Sequence, residues 1–363
     1  EELVSNTDMF AVIRKQDVLL HHPYQSFSPV VDLLKQASSD TSVLAIKQTL
    51  YRTGTKSPIV DALVAAARAG KEVTVVIELR ARFDEEANVA LAAKLQQAAV
   101  HVVYGVVGYK THAKMLLILR REKNKLRHYV HLGTGNYHPS TSRLYTDYGL
   151  MSNDKQLGED VSNLFVQLTS VGKIPKMHKL LHAPFTLHDG LLTRIDREIT
   201  HAQAGHQAHI IIKVNAIVEP KIIQAFYRAS MAGVKVDLIV RGICSLKPGI
   251  AGISENIQVR SIIGRFLEHT RVFYFANNDS VEVWAASADL MKRNLLRRVE
   301  TAFPIEQKKL KNTLIEDLNT YLTDNNQAWI LSANGRYHRI EKPEQSDLIS
   351  AQTFLLSKLA KKF

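Results

Sequence analysis

Apolar residues fall into short runs bounded by small or charged positions, and the runs recur in the same order in both halves of the chain. Ser42-Val43-Leu44-Ala45-Ile46-Lys47 and His209-Ile210-Ile211-Ile212-Lys213 each read as a buried strand ending in lysine. Ala69-Gly70 before Lys71–Ile77, and Ala232-Gly233 before Val234–Val240, each read as the end of an alanine-rich helix, a glycine C-cap and a second buried strand. Met115–Leu119 and Val272–Phe275 supply a further strand in each half. A small-residue turn then follows, Gly133-Thr134-Gly135-Asn136 in one half and Ser287-Ala288-Asp289 in the other. Landmarks repeated in this order predict a duplicated fold.

The rest of the pattern fills in around the repeat. Thr49–Gly54 reads as a strand, with an alanine-rich helix from about Pro58. Residues near 1–25, containing His21-His22-Pro23-Tyr24, read as an extended segment held open by proline. Val171–Gly190 reads as a proline-containing linker, with the second lobe restarting at about Leu191. The domains are therefore set at 1–180 and 181–363. The tail reads as a charged helix from Glu306 and a hairpin of Ala328–Leu331 with Arg336–Arg339 around Asn334-Gly335. Alternating strands and helices predict an α/β class, each lobe a mostly parallel sheet flanked by helices, the two related by a pseudo-twofold.

Composition narrows the partners. At 363 residues and 45% hydrophobic, the chain can bury a core in each lobe. Lys plus Arg number 47 against 35 Asp plus Glu, a net charge of +12, which favours a polyanionic partner. Cys244 is the single cysteine, which excludes an internal disulfide and points to a reducing compartment. No apolar run approaches the roughly 18 residues of a membrane span, and no signal peptide is recognised. The chain begins at Glu1 without methionine and is expected to be a piece of something longer.

The candidate chemistry sits on the repeat. His112-Ala113-Lys114 and His269-Thr270-Arg271 each precede an apolar strand and stand about twenty residues before the small-residue turn. Residues i and i+2 of a strand share a face, so each histidine is expected to project beside its cation. A lone strand histidine is ordinarily structural, but its duplication with a cation suits phosphoryl transfer, one histidine attacking phosphorus and the other handling a proton or charge. Thr53-Gly54-Thr55-Lys56-Ser57 lacks the first glycine of a P-loop and reads as a turn.

The paired pattern resembles the phospholipase D superfamily, whose motif carries an aspartate five residues after the lysine. Leu119 and Ala276 stand there instead, and Arg271 replaces the second lysine. Longer stretches resemble the polyphosphate kinase family over essentially the whole chain. They are Leu50–Gly54, Glu78–Glu85, Tyr109–Lys114, Gly133–Tyr137, Leu238–Cys244, Gly264–His269 and Ser287–Met291. The likeness is to the C-terminal catalytic half of that enzyme, without its N-terminal and head domains.

The resemblance implies reversible transfer of the terminal phosphate of ATP onto polyphosphate through a phosphohistidine, with the active site at the interface of the lobes. It makes His112 the phosphorylated residue and His269 the acid/base or nucleotide-side partner. Arg52 and Arg82 become clamps on phosphate oxygens at a Mg2+ site, since arginine cannot ligate a cation. Tyr145 and Arg241 become nucleotide contacts. Lys114, Arg271 and Asn136 follow from the superfamily pattern as oxyanion stabilisers, while Lys47, Lys110, Lys213 and Arg265 extend a basic path for the polymer. The family further implies a cytoplasmic homo-oligomer, peripheral at the inner membrane, with no nucleic-acid partner. Two rival readings stand beside this one: a phospholipase D-type phosphodiesterase on lipid or nucleic acid, and a non-catalytic polyanion-binding module.

Overall fold

Two alanine-rich helices, Pro58–Arg68 and Pro220–Met231, end in the same way. In the first, Gly70 (φ +80°) donates to the Ala67 carbonyl at 2.9 Å and Lys71 donates to Ala66 at 3.2 Å. In the second, Gly233 (φ +90°) donates to Ser230 at 3.0 Å and Val234 to Ala229 at 2.9 Å. Both are Schellman caps, in which a left-handed glycine lets the chain reverse and satisfy the last carbonyls. Both helices also begin with proline, whose missing N–H has no helical partner to lose there. The repeated Ala-Gly signal is thus a repeated physical device.

The computed structural model describes residues 8–51, 53, 57–78, 85–105, 109–170, 176–340 and 348–360; Arg52 and Arg82 lie outside them. The chain divides into one unit of Glu1–Leu180 with Arg297–Thr301 and another of Leu181–Leu296 with Ala302–Phe363. Arg297–Thr301, placed in the second lobe from sequence, packs with the first unit.

In the first unit the strands are β1 (Val18–His22), β2 (Val43–Leu50), β3 (Glu72–Ile77), β4 (His101–Val103), β5 (Lys110–Thr111), β6 (Lys114–Glu122), β7 (Lys125–Gly133) and β8 (Tyr145–Ser152). Helices α1 (Met9–Lys15), α2 (Ser28–Ser39), α3 (Pro58–Arg68), α4 (Glu85–Gln97) and α5 (Lys155–Thr169) accompany them. The sheet runs β1-β8-β7-β6-β2-β3-β4. Only β2·β3 and β3·β4 are parallel; the other pairs along that order are antiparallel. Ile46, Val75, Leu116 and Ile118 from the sheet pack with Leu33 and Leu63 from α2 and α3 to form its core.

The second unit contains β9 (Leu181–Ala183), α6 (Leu187–Gln203), β10 (His209–Val214), α7 (Pro220–Met231), β11 (Lys235–Val240), β12 (Ile257–Ile262), β13 (Leu267–Glu268), β14 (Val272–Phe275) and β15 (Glu282–Ala286). After α8 (Lys292–Arg297), β16 (Arg298–Pro304) leads into α9 (Lys308–Thr323), β17 (Ala328–Leu331), β18 (Tyr337–Arg339) and α10 (Ala351–Ala360). Here β10, β11 and β12 are parallel neighbours, whereas β10·β14, β14·β15, β15·β16, β12·β17 and β17·β18 are antiparallel. Ile210, Ile212, Val236, Leu238 and Phe273 form its core with Ile222 and Phe226 of α7.

Both sheets are therefore mixed, with antiparallel pairs in the majority, and the expectation of mostly parallel sheets is corrected. Parallel pairing occurs where a helix crosses over, as in β2-α3-β3 and β10-α7-β11. Tight connections impose antiparallel pairing, as in the β6–β7 hairpin, where Glu122 faces Lys125 across a turn that puts Lys123 at φ +53°. The N-terminal segment is also more ordered than its proline suggested: α1 and the edge strand β1 precede Pro23. Of the strand expected at Thr49–Gly54, Thr49 and Leu50 form the end of β2, which begins at Val43, while Arg52 and Gly54 lie outside the described residues. Helix α6 starts at Leu187, inside the predicted linker. The β17–β18 hairpin forms as expected, with Gly335 at φ +82°. No helix among the described residues is long and apolar enough to cross a membrane.

Candidate active site

His112 does not lie on a strand. It and Ala113 occupy the gap between β5 and β6, and both backbone N–H groups donate to the Val299 carbonyl at 2.9 Å. The segment is held there because β5 pairs in parallel with the start of β16, Thr111 opposite Val299. On the other side, Thr49 Oγ1 donates to the Ala113 carbonyl at 2.7 Å and accepts from the Met115 N–H at 3.0 Å.

The residue after Val299 is Glu300, fully buried, and its Oε2 lies 2.8 Å from His112 Nδ1. A carboxylate accepts, so Nδ1 carries the proton and Nε2 keeps its lone pair. Burial pushes the His112 pKa down to about 4; Glu300 opposes that fall and the Lys114 charge adds to it. The imidazole is therefore neutral at neutral pH. Lys114, itself buried, turns its Nζ back to the His112 carbonyl. Tyr51 packs edge-on to the His112 ring, centroids 5.3 Å apart, and the Lys114 ammonium lies 5.6 Å from the Tyr51 centroid. The expected adjacency of His112 and Lys114 is present, but through a backbone carbonyl at a strand break, not a shared strand face.

His269 likewise sits in the gap between β13 and β14. Buried Arg271 donates from Nη1 to the His269 carbonyl at 2.8 Å, and the same nitrogen lies 3.1 and 3.3 Å from the two ring nitrogens. The guanidinium is fixed from behind by Asp289, Nη2 to Oδ2 at 2.9 Å and Nε to Oδ1 at 3.2 Å. Burial alone would raise the Asp289 pKa, but Arg271 and the Asn215 N–H (2.8 Å) overturn that and hold it at about 2. Asn215, at the end of β10, also reaches the His269 carbonyl at 3.4 Å.

Comparison with known proteins decides the family. Residues 8–174 match the model described as polyphosphate kinase C-terminal domain 1, and residues 180–352 match polyphosphate kinase C-terminal domain 2. The chain is 59% identical over 358 residues to a polyphosphate kinase of Pseudomonas aeruginosa, covering 99% of this chain and 52% of that protein. The chain belongs to the polyphosphate kinase family.

A crystal structure of polyphosphate kinase from Porphyromonas gingivalis superposes with a TM-score of 0.92 at 34% identity, over 100% of this chain and 56% of that one. A phosphatidylserine synthase of Haemophilus influenzae shares the fold, with a TM-score of 0.58 at 11% identity over 96% of this chain and 93% of that one. The chain spans about half the length of the polyphosphate kinases it matches.

Within this polyphosphate kinase frame the remaining candidates fall in varied settings. Asn136 sits in the turn after β7, and its Oδ1 is buried without a hydrogen-bond partner. Tyr145 opens β8 and Arg241 follows β11, both half-buried. Lys47 is half-buried on β2, while Lys110 on β5 and Arg265 are exposed. Lys213 is buried, its Nζ 2.6 Å from Glu268 Oε2. Such an ammonium is neutralised inside the second unit, not offered to a polymer at the surface. Glu300, Asp289, Asn215 and Thr49 were not picked as site residues from sequence. Asp289 was visible as part of the repeated turn; Glu300 stands 188 residues from the histidine it touches, with no local pattern to mark it.

Proposed function

We propose that this chain carries the phosphotransfer chemistry of a polyphosphate kinase, moving the terminal phosphate of ATP reversibly onto polyphosphate through His112. The observation that carries this reading is the buried Glu300 on Nδ1 of a neutral imidazole, which leaves Nε2 ready to attack. Nε2 forms a bond to the γ-phosphorus as the bond to the β-phosphate oxygen breaks and ADP leaves. A terminal oxygen of polyphosphate then attacks the same phosphorus, the N–P bond breaks, and Nε2 regains its lone pair. Nδ1 keeps its proton throughout, so Glu300 faces an imidazole that becomes cationic as the N–P bond forms. A phosphohistidine keeps a high transfer potential, so the exchange can run in both directions; a serine or threonine ester would trap the phosphate.

His269 serves as the acid/base or nucleotide-side partner, with Tyr145 and Arg241 on the nucleotide. Lys114, Arg271 and Asn136 stabilise oxyanion charge, as catalysis of a loose phosphoryl transfer is mostly positioning and electrostatics. Lys47, Lys110 and Arg265 remain on the proposed basic path; Lys213 leaves it because Glu268 takes its charge. Among the described residues no three His, Cys, Asp or Glu side chains gather as a metal site. Magnesium bound with the ATP phosphates would neutralise their charge, and Arg52 and Arg82 would hold phosphate oxygens beside it. The full protein is proposed to be a cytoplasmic homo-oligomer, peripheral at the inner membrane. Leu119 and Ala276, in place of the superfamily's aspartates, count against a phosphodiesterase.

The test is incubation with γ-labelled ATP and magnesium, followed by mapping. Acid-labile, base-stable label on His112, lost in His112→Ala, is the expected result. No label here, and none on a protein of the relatives' full length, overturns the reading.

A further inference from the structure

The C-terminal helix reaches the segment that carries His269. Gln352, buried near the start of α10, accepts from the Phe266 N–H at 3.0 Å through Oε1. Its Nε2 donates to the Phe266 carbonyl at 2.9 Å and to Glu268 Oε1 at 2.7 Å. The other Glu268 oxygen accepts from Lys213 Nζ at 2.6 Å, and the same ammonium donates to Thr270 Oγ1. Lys213 also lies over the Tyr321 ring, 4.7 Å from its centroid. Glu268 and Thr270 are the two neighbours of His269, so the network holds the side chains on both sides of the histidine in the chain, while Arg271 lies against its ring.

The helix is seated firmly enough to transmit this. Asp324, 1% exposed, accepts from the Ala351 N–H at 2.7 Å and from the N–H groups of Asn326, Gln327 and Ala328 at 2.7–3.1 Å. Lys358 reaches Glu316 of α9 at 3.0 Å. The chain also passes Gln352 at close quarters: a Cβ on Gly264 would stand 2.5 Å from its Oε1.

A buried Lys–Glu pair adds little net stability over well-packed apolar side chains, whereas a fully satisfied polar network fixes geometry. We infer that Gln352, Glu268 and Lys213 are positioning residues for His269, making the seating of α10 a determinant of phosphoryl transfer. The inference rests on the role given to His269 above.

A double-mutant cycle tests it. Gln352→Leu and His269→Ala are made singly and together, and turnover with ATP and polyphosphate is measured beside thermal unfolding and the ring NMR signals of His269. A small misplacement of a catalytic group slows Gln352→Leu by about tenfold in kcat. KM for ATP changes little, the His269 ring signals shift, and no further loss appears in the His269→Ala background. Equal losses in both backgrounds, or unchanged kcat and ring signals in a folded Gln352→Leu, overturn the inference. Should Gln352→Leu not fold, the charge-free pair Glu268→Gln with Lys213→Met goes through the same cycle, with additivity again the contrary result. Absence of label on His112 both in the parent and in a protein of the relatives' full length sinks the phosphotransfer reading instead; the ring signals then still report whether the network positions His269.

Discussion

Replacing Glu300 by glutamine isolates the charge behind the proposed nucleophile. The side chain keeps its length and an amide oxygen able to accept from His112 Nδ1, so the ring's tautomer and orientation survive. What is lost is the anion facing an imidazole that becomes cationic as phosphorus is captured, at an N···O distance of 2.8 Å. Two unit charges with centres about 4 Å apart attract by about 4 kcal/mol at an effective dielectric of about 20. The incoming phosphoryl group brings its own negative charge, and the amide retains a neutral hydrogen bond. About 2–3 kcal/mol is then the expected loss, or about a hundredfold in rate. The loss is not a matter of protonation: Glu300 supports the His112 pKa, so its removal lowers a value already at about 4. Parent and Glu300→Gln should both show labelling rates independent of His112 titration between pH 6 and 8. The assay is quench-flow capture of acid-labile label on His112 with γ-labelled ATP at several pH values. Labelling of Glu300→Gln within twofold of the parent refutes the reasoning, as does a loss that disappears at high pH.

Three other outcomes follow from the packing. Burial holds His112 at about 4 and His131 at about 3, so between pH 6.5 and 4 the unfolded chain takes up protons that the folded chain refuses. Stability is present above pH 6.5 and falls toward pH 4, by about 3 kcal/mol for His112 alone; an unchanged urea midpoint between pH 7.5 and 4.5 contradicts this. Asp289→Asn leaves the buried Arg271 without its counter-ion and is expected to cost about 3–5 kcal/mol in urea unfolding, with much of the loss recovered when Arg271→Met is added. In Gly135→Ala the new Cβ falls 2.0 Å from Asp147 Oδ2, and Asp147 is itself held by Thr134 Oγ1 at 2.6 Å. Overpacking of this kind costs about 1–3 kcal/mol, so a melting temperature equal to the parent's counts against the tight turn.

The parts of the fold legible in the sequence are those governed by local rules. The Ala-Gly pairs gave away the ends of α3 and α7 because a left-handed residue after a helix nearly demands glycine. Asn334-Gly335 marked the hairpin for a similar reason. Strand direction was less legible: crossover helices suggested mostly parallel pairing, while the β6–β7 turn carries Lys123 at positive φ, a residue with no turn signature. Lys213, at a strand end, was expected on the basic path for the polymer, yet it is buried with Glu268, 55 residues away, beside its ammonium. Glu300 was invisible for the same reason, its partner being supplied by tertiary pairing alone.

Duplication preserved the backbone of the two histidine segments but not their electrostatics, and the difference supports a division of labour that sequence symmetry left open. Each histidine occupies a strand break with a cation two residues on. His112 has a buried carboxylate on Nδ1, whereas the His269 ring lies against a guanidinium locked to Asp289. An attacking imidazole gains positive charge as it bonds to phosphorus, and an anion at its far nitrogen stabilises that change. A guanidinium beside the ring would oppose the same change, but it suits an approaching phosphate oxygen. These electrostatics support His112 as the proposed nucleophile without appeal to a family motif, and the guanidinium beside the His269 ring suits the proposed side of the reaction where phosphate charge accumulates.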